Sequence, residues 1–335
     1  MNPSEWNDAQ LAGQRIMAGF EGQHLNDDLR RLIDGLKVGG LILFRPNIAD
    51  PQQVARLCAD CQRFAAACGQ PPLLIAVDQE GGPVARLRAP FTEFPGNPAM
   101  EGLADADHFA AVTARELKAV GINMDMAPVL DVAPPDMSGI MAERVFRGDP
   151  AQVARMGCAV IEGLQTRGVI AVAKHFPGIG RTTLDSHLEL PCFTAELADL
   201  EAYELPPFQA ALARGVEAVM LSHIHYPQLD PHWPASLSPA IARDLLRRRL
   251  GFAGVTVTDD LDMGAIVRHF DIQTAVAQIL AAEIDIVLIC HKGPNIQTAW
   301  HTIHDGLRRS EDLRRLTLEA VTRIAALKAR YLAPT

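Results

Sequence analysis

With 335 residues, 48% of them hydrophobic and 21% charged, the chain has the composition of an ordinary soluble globular protein with ample material for a core. A formal net charge of −9 and a pI near 5.6 argue against a nucleic-acid or anionic-membrane partner, because no basic block balances the acidic excess. The densest basic run, Arg247-Arg248-Arg249, reads as a solvated helix end, and the first residues, MNPSEWNDAQ, lack a basic stretch followed by an apolar one. No run of about 18 uncharged apolar residues occurs, so the expectation is a cytoplasmic protein.

Taken in order, short apolar runs alternate with longer stretches of helical period. The runs are 15–19, 40–44, 73–78, 122–126, 169–174, 218–222, 254–258 and 284–290; the helical stretches are 26–36, 51–68, 104–119, 150–167, 195–214, 238–250, 273–283 and from about 295 to the end. Asp50-Pro51 and Asp149-Pro150 set an N-cap before a proline at the first helical position, and Ser238-Pro239 repeats the device. Eight strand-and-helix units with short links predict one α/β domain over 1–335, a (β/α)8 TIM-type barrel. No dinucleotide-binding glycine fingerprint follows any run, which weakens the doubly wound alternative.

Chemistry in such barrels sits at the C-terminal ends of the strands. The chain places Asp78-Gln79-Glu80, Asp125, Lys174-His175, His223 with His225, and Asp259-Asp260 there. Lone carboxylates at strand ends often cap the next helix, and Asp260 and Asp262 fit that role. Asp259 is different, because it follows an apolar strand and abuts a second carboxylate, and crowded like charges are usually kept for function. Asp185 and His187, two apart in a Gly/Pro-rich loop, can face the same way and form a general acid/base pair. Ser186 between them lacks a nucleophile elbow.

The same residues admit other chemistries. His223-Ile224-His225 could hold a metal as in amidohydrolase barrels, but no second cluster of ligands accompanies it. Lys174 could form a Schiff base, and the 178–182 segment lacks the phosphate-loop lysine. Cys58 and Cys61 form a CxxC without a partner pair, so the six cysteines are expected to be reduced packing residues. Neither metal nor cofactor is expected.

VDQEGG (77–82) with Arg86, APVLDV (127–132), KHFPG (174–178) with DSH (185–187), SHIHYP (222–227), PASLS (234–238) and TDDLDM (258–263) closely resemble glycoside hydrolase family 3. The likeness runs in order from about residue 15 to 290, and is nearest to the single-domain bacterial β-N-acetylglucosaminidases of cell-wall recycling. It implies a retaining hydrolase that removes non-reducing β-linked N-acetylglucosamine, with Asp259 as nucleophile, His187 as acid/base and Asp185 as its partner. Sugar contacts carry over to Asp78, Arg86, Arg144, Lys174 and His175. The implied substrate is a GlcNAc-containing muropeptide, GlcNAc-1,6-anhydro-MurNAc, and the implied protein is a monomer. A phosphorylase of the same family and a non-catalytic sugar-binding protein are the alternatives. Ile179 stands where the family commonly has His, Arg181 where an acidic residue is frequent, and Pro83 where Arg is usual, which bears on loop closure and aglycone preference.

Overall fold

This computed structural model describes residues 2–134, 140–182 and 189–332. Strands β1 (Ile16–Ala18), β2 (Gly40–Leu43) and β3 (Leu74–Val77) are followed by a two-stranded hairpin, β4 (Gln79–Gly81) and β5 (Val84–Ala85). Then come β6 (Met124–Asp125), β7 (Ile170–Phe176), β8 (Ala218–Leu221), β9 (Val255–Thr258) and β10 (Val287–Ile289). All but the hairpin pair in parallel in the order β10-β1-β2-β3-β6-β7-β8-β9. A Val257–Ile286 bridge closes the ring, with the Ile286 N–H donating to the Thr256 carbonyl at 2.9 Å. The expected eight-stranded α/β barrel is therefore present, and every apolar run overlaps one of its strands, β7 running two residues beyond its run.

Alternation along the strands divides the core. Met17, Ile42, Leu74, Met124, Met126, Ile170, Val172, Met220, Val255, Val257 and Leu288 pack together inside the ring. Each such side chain stabilises the fold by about 1.5–3 kcal/mol on burial. Residues of opposite parity, such as Leu41, Ile75 and Ala171, join a larger outer layer with the helices. That layer is built from α1 (Asp8–Gly13), α2 (Asp27–Arg30), α3 (Pro51–Ala67), α4 (Leu103–Ala119), α5 (Pro150–Thr166), α6 (Leu197–Ala202), α7 (Leu205–Ala213), α8 (Gly264–Val267), α9 (Ile272–Ala281), α10 (Pro294–Arg309) and α11 (Glu311–Leu332). None of the described helices is long and apolar enough to cross a membrane.

Local chemistry explains where the helices start. Asp50 and Asp149 accept from the Gln53 and Gln152 N–H groups at 2.8 and 2.7 Å, and Ser238 Oγ accepts from the Ile241 N–H at 3.1 Å. The structure also departs from the simple pattern. The 195–214 stretch breaks into α6 and α7, because Glu204 turns into the core and Pro206 and Pro207 offer no backbone N–H to continue α6. The segment Ala240–Arg249 winds as a π-helix. The β4–β5 hairpin escapes a periodicity reading because it is so short; Gly81 and Gly82 turn it at φ of 85° and 57°. Pro83 is exposed at its tip.

At the N-terminal end of the strands, α11 covers the ring, sending Ile324 and Leu327 into the inner cluster. Arg247 is not the solvated residue expected of a basic run. It reaches inward to Asp285 at 2.6 Å and Thr256 Oγ1 at 2.8 Å, where Arg323 of α11 meets the same carboxylate at 2.8 Å. Arg248 and Arg249 do lie exposed. All six cysteines are free, and burial pushes the Cys58 and Cys61 thiols up to about 12, as suits inert packing residues, whereas Cys192 is exposed and does not have the packing role expected of it.

Candidate active site

The C-terminal mouth of the barrel opens into a cavity of about 380 Å³ lined by Asp78, Arg86, Arg144, Lys174, His175 and Asp259, with Ile42, Phe44, Met126, Ile179 and Met220 as apolar wall. Parity explains the entry of two of these. Lys174 continues the inward series Ile170 and Val172 on β7, and Asp259 continues Val255 and Val257 on β9. Six of the eight expected site residues thus share one cavity; Asp185 and His187 lie outside the described residues.

The charged groups form one connected set. The Lys174 ammonium lies 2.9 Å from Asp78 and 2.6 Å from Glu80. Arg86 pairs with the other Asp78 oxygen at 3.1 Å, and Arg144 holds Glu80 with two hydrogen bonds of 2.9 and 2.7 Å. Burial alone would raise the Asp78 and Glu80 carboxyls, but Lys174 with Arg86 or Arg144 outweighs it and holds both below the ordinary range. Reciprocally, burial works against the Lys174 charge while Asp78 and Glu80 restore it and raise its pKa. Three cations thus stand against Asp78 and Glu80, with the Asp131 carboxylate behind His175 as a third negative charge.

Asp259 is half-buried and its Oδ1 accepts from the Asp260 N–H at 2.9 Å. Burial opposes its ionisation, yet His223, His175, that N–H and Lys174 prevail and its pKa lies below the ordinary value. Asp260 behaves oppositely. Burial pushes its carboxyl up to about 6, while its Oδ1 accepts from the Asp262 and Cys290 N–H groups at 3.0 and 2.9 Å, so it ties down the loop after β9 and does not cap α8, which has no side-chain cap. Two adjacent carboxyls thus differ in protonation tendency, which is how acid and base roles separate.

Two other rim groups do not join the cavity. Asp125 is fully buried, accepts from the Gln79 N–H at 3.0 Å, has no partner on its second oxygen, and is driven well above the usual carboxyl range by burial. The imidazoles of the HxH diverge: His223 lies 2.6 Å from Ser236 Oγ and 2.8 Å from the Asp260 carbonyl, and His225 lies 3.0 Å from the Asp230 carbonyl. Among the described residues, Asp260, Asp262 and His291 come within 4.8 Å of one another. Both Asp262 oxygens already accept, from the His291 N–H and from Asn295.

Glu80, which stands at the expected rim but was given no role there, and Asp131 also belong to the site. Asp131 is fully buried, lying 2.7 Å from His175 Nδ1 and accepting from the Ile179 N–H at 2.8 Å. The available signal was a lone carboxylate within an otherwise apolar run, 127–133.

A closed parallel barrel whose C-terminal rim gathers ionised carboxylates and fixed cations around one cavity is a barrel enzyme for a polar small molecule. The chain belongs to glycosyl hydrolase family 3: residues 9–327 match the model described as the glycosyl hydrolase family 3 N terminal domain. It is 38% identical over 291 residues to a β-hexosaminidase of Pseudomonas aeruginosa, covering 85% of this chain and 84% of that one. A β-hexosaminidase of Nitrosomonas eutropha is 37% identical over 285 residues, 82% of this chain and 80% of the other. Among solved structures, a family 3 β-N-acetylglucosaminidase from Paenibacillus sp. str. FPU-7 superposes with a TM-score of 0.92 at 39% identity. That alignment covers 97% of this chain, which spans only 63% of the Paenibacillus chain. A β-N-acetylhexosaminidase from Beutenbergia cavernae gives a TM-score of 0.88 at 30% identity, over 97% of this chain and 99% of that one.

Proposed function

We propose that this family 3 glycosidase is a retaining β-N-acetylhexosaminidase that removes non-reducing β-linked N-acetylglucosamine, with GlcNAc-1,6-anhydro-MurNAc muropeptides as its physiological substrate. The observation that carries the reading is Asp259, a carboxylate at the cavity wall whose pKa is held below the ordinary value by His223, His175, the Asp260 N–H and Lys174. In this mechanism Asp259 attacks the anomeric carbon as the glycosidic bond breaks, giving a glycosyl-enzyme. His187, oriented by Asp185, protonates the departing oxygen and then takes a proton from the water that releases the sugar. Asp78 with Arg86, Arg144, Lys174 and His175 holds the sugar hydroxyls and the acetamido group, so that binding energy orients the reacting carbon.

The test is release of chromophore from an aryl N-acetyl-β-glucosaminide, with and without phosphate, followed by identification of the sugar product. Free N-acetylglucosamine in both cases supports the hydrolase; the 1-phosphate means a phosphorylase, and no release means a binding protein. A fluorosugar should label Asp259, and Asp259→Ala should lower turnover by about 10⁴-fold or more while sugar binding persists. A label on Asp260, or near-normal turnover by Asp259→Ala, overturns the assignment.

A further inference from the structure

Asp131 lines no part of the cavity, yet three N–H groups of the site converge on its two oxygens. One oxygen accepts from the Ile179 N–H at 2.8 Å, the other lies 2.7 Å from His175 Nδ1, and the His175 backbone N–H lies 3.3 Å from both. A carboxylate only accepts, so each of these donors is satisfied, and Nδ1 must carry a hydrogen to take its place among them. The opposite edge of the ring imposes the same condition independently. His175 Nε2 lies 3.4 Å from Arg144 Nη2, and a guanidinium, which has donors alone, meets a ring nitrogen favourably only where that nitrogen carries a lone pair.

We propose that Asp131 is a positioning residue that fixes the ring of His175, whenever it is neutral, as its Nδ1–H tautomer, so that the one Nε2 lone pair accepts, and a sugar hydroxyl on binding takes the place of the long 3.4 Å Arg144 contact there. The consequence is a division of labour along the cavity wall. Lys174, Arg86 and Arg144 can only donate to a hydroxyl, whereas His175 receives the hydroxyl's own hydrogen. A sugar hydroxyl then finds a donor and an acceptor together, and a group that cannot donate is disfavoured. This inference rests on the sugar-binding reading of the cavity, but its first readout does not depend on activity.

In protein labelled with ¹⁵N at histidine, long-range ¹H–¹⁵N correlations at pH 8 should show His175 with a protonated Nδ1 and a bare Nε2. An Nε2–H tautomer would overturn the proposal. Asp131→Asn nearly preserves shape but supplies one accepting oxygen and an NH₂ against the converging donors. It should lose the single-tautomer signature and lower kcat/KM by about 10–100-fold, chiefly through KM, because the interaction is made in the bound substrate as well as in the transition state. Adding Asp131→Asn to His175→Ala should cost little further; full additivity of the two losses would mean that Asp131 does not act through the ring. Should the Asn variant fail to fold, the wild-type ring spectrum decides alone. A wild-type protein with no activity on aminosugars would sink the proposed function while leaving the tautomer result standing.

Discussion

Neighbouring carboxyls on one strand end carry opposite chemical tendencies. Asp259 and Asp260 share a backbone segment, yet the first faces cations and imidazoles while the second is buried against backbone N–H groups and another aspartate. An ionised carboxylate beside a carboxyl pushed up to about 6 is thus distinguished by its immediate surroundings. The acid role falls to a histidine on this reading, because imidazole protonates a leaving group near neutral pH without the desolvation a glutamate would require. The expected outcome for His187→Ala follows. Turnover of substrates with poor leaving groups should fall by about 10²–10⁴-fold, and activated aryl glycosides should lose far less, since they need little proton assistance. Steady-state rates on a leaving-group series check this, and equal losses across the series would remove His187 from the acid role.

The stretch that leaves β7 is held at successive residues. The Tyr226 hydroxyl donates to the Gly178 carbonyl at 2.7 Å, the Ile179 N–H meets Asp131, and Arg181 forms a two-point ion pair with Glu204, one bond being 2.7 Å. The Arg181 guanidinium is also sandwiched near Phe193 and Tyr203, 4.9 and 4.8 Å from their ring centroids. Arginine at position 181, a departure from the family pattern, thus has its own buried counter-charge in this chain, and Ile179 contributes apolar wall to the cavity. Burial already pushes the Glu204 carboxyl up, with Arg181 the main opposing charge. Removing that charge by Arg181→Ala should cost about 2 kcal/mol, less than a fully buried pair would because Arg181 is partly exposed. Denaturant unfolding measures the loss, and Arg181→Lys should restore only part of it, since an ammonium cannot reproduce the forked contact or the stacking.

The base of the barrel is closed by the last helix, and its anchor is a lysine. Lys328 is fully buried, with its ammonium 2.8 Å from the Gly39 carbonyl and 2.6 Å from Gln14 Oε1, and burial depresses its pKa to about 7. An unfolded lysine titrates near 10.4. Between those values the unfolded chain binds one more proton than the native one, so this group makes stability rise with pH from about 7 to about 10. Below about 7 both states are protonated and the contribution levels off at its least favourable value. The whole swing is on the order of 4 kcal/mol. Urea unfolding at pH 7.5 and 9.5 should show the rise in the wild type and a much flatter dependence in Lys328→Met, whatever the variant's absolute stability. An unchanged slope would show that Lys328 keeps its charge.

Local information settles most of the frame. Apolar runs bounded by Gly and Pro, and Asp-Pro or Ser-Pro helix starts, depend on residues a few positions apart, and they suffice to order eight strands and their helices. The motif residues at the strand ends were legible for the same reason, and the expectations at Asp185 and His187 rest on sequence alone. What lay beyond reach depends on distant partners. Glu80 gains its role only when Lys174 and Arg144 arrive beside it, and Asp131 only when His175, 44 residues away, presents its ring. The fold choice at Glu204, the inward turn of Arg247 and the depressed lysine at position 328 are likewise set by burial and by partners far along the chain. Periodicity reports which face of an element is apolar, but the charge, tautomer and hydrogen-bonding duty of a buried polar group are fixed by what the tertiary structure brings within about 3 Å of it.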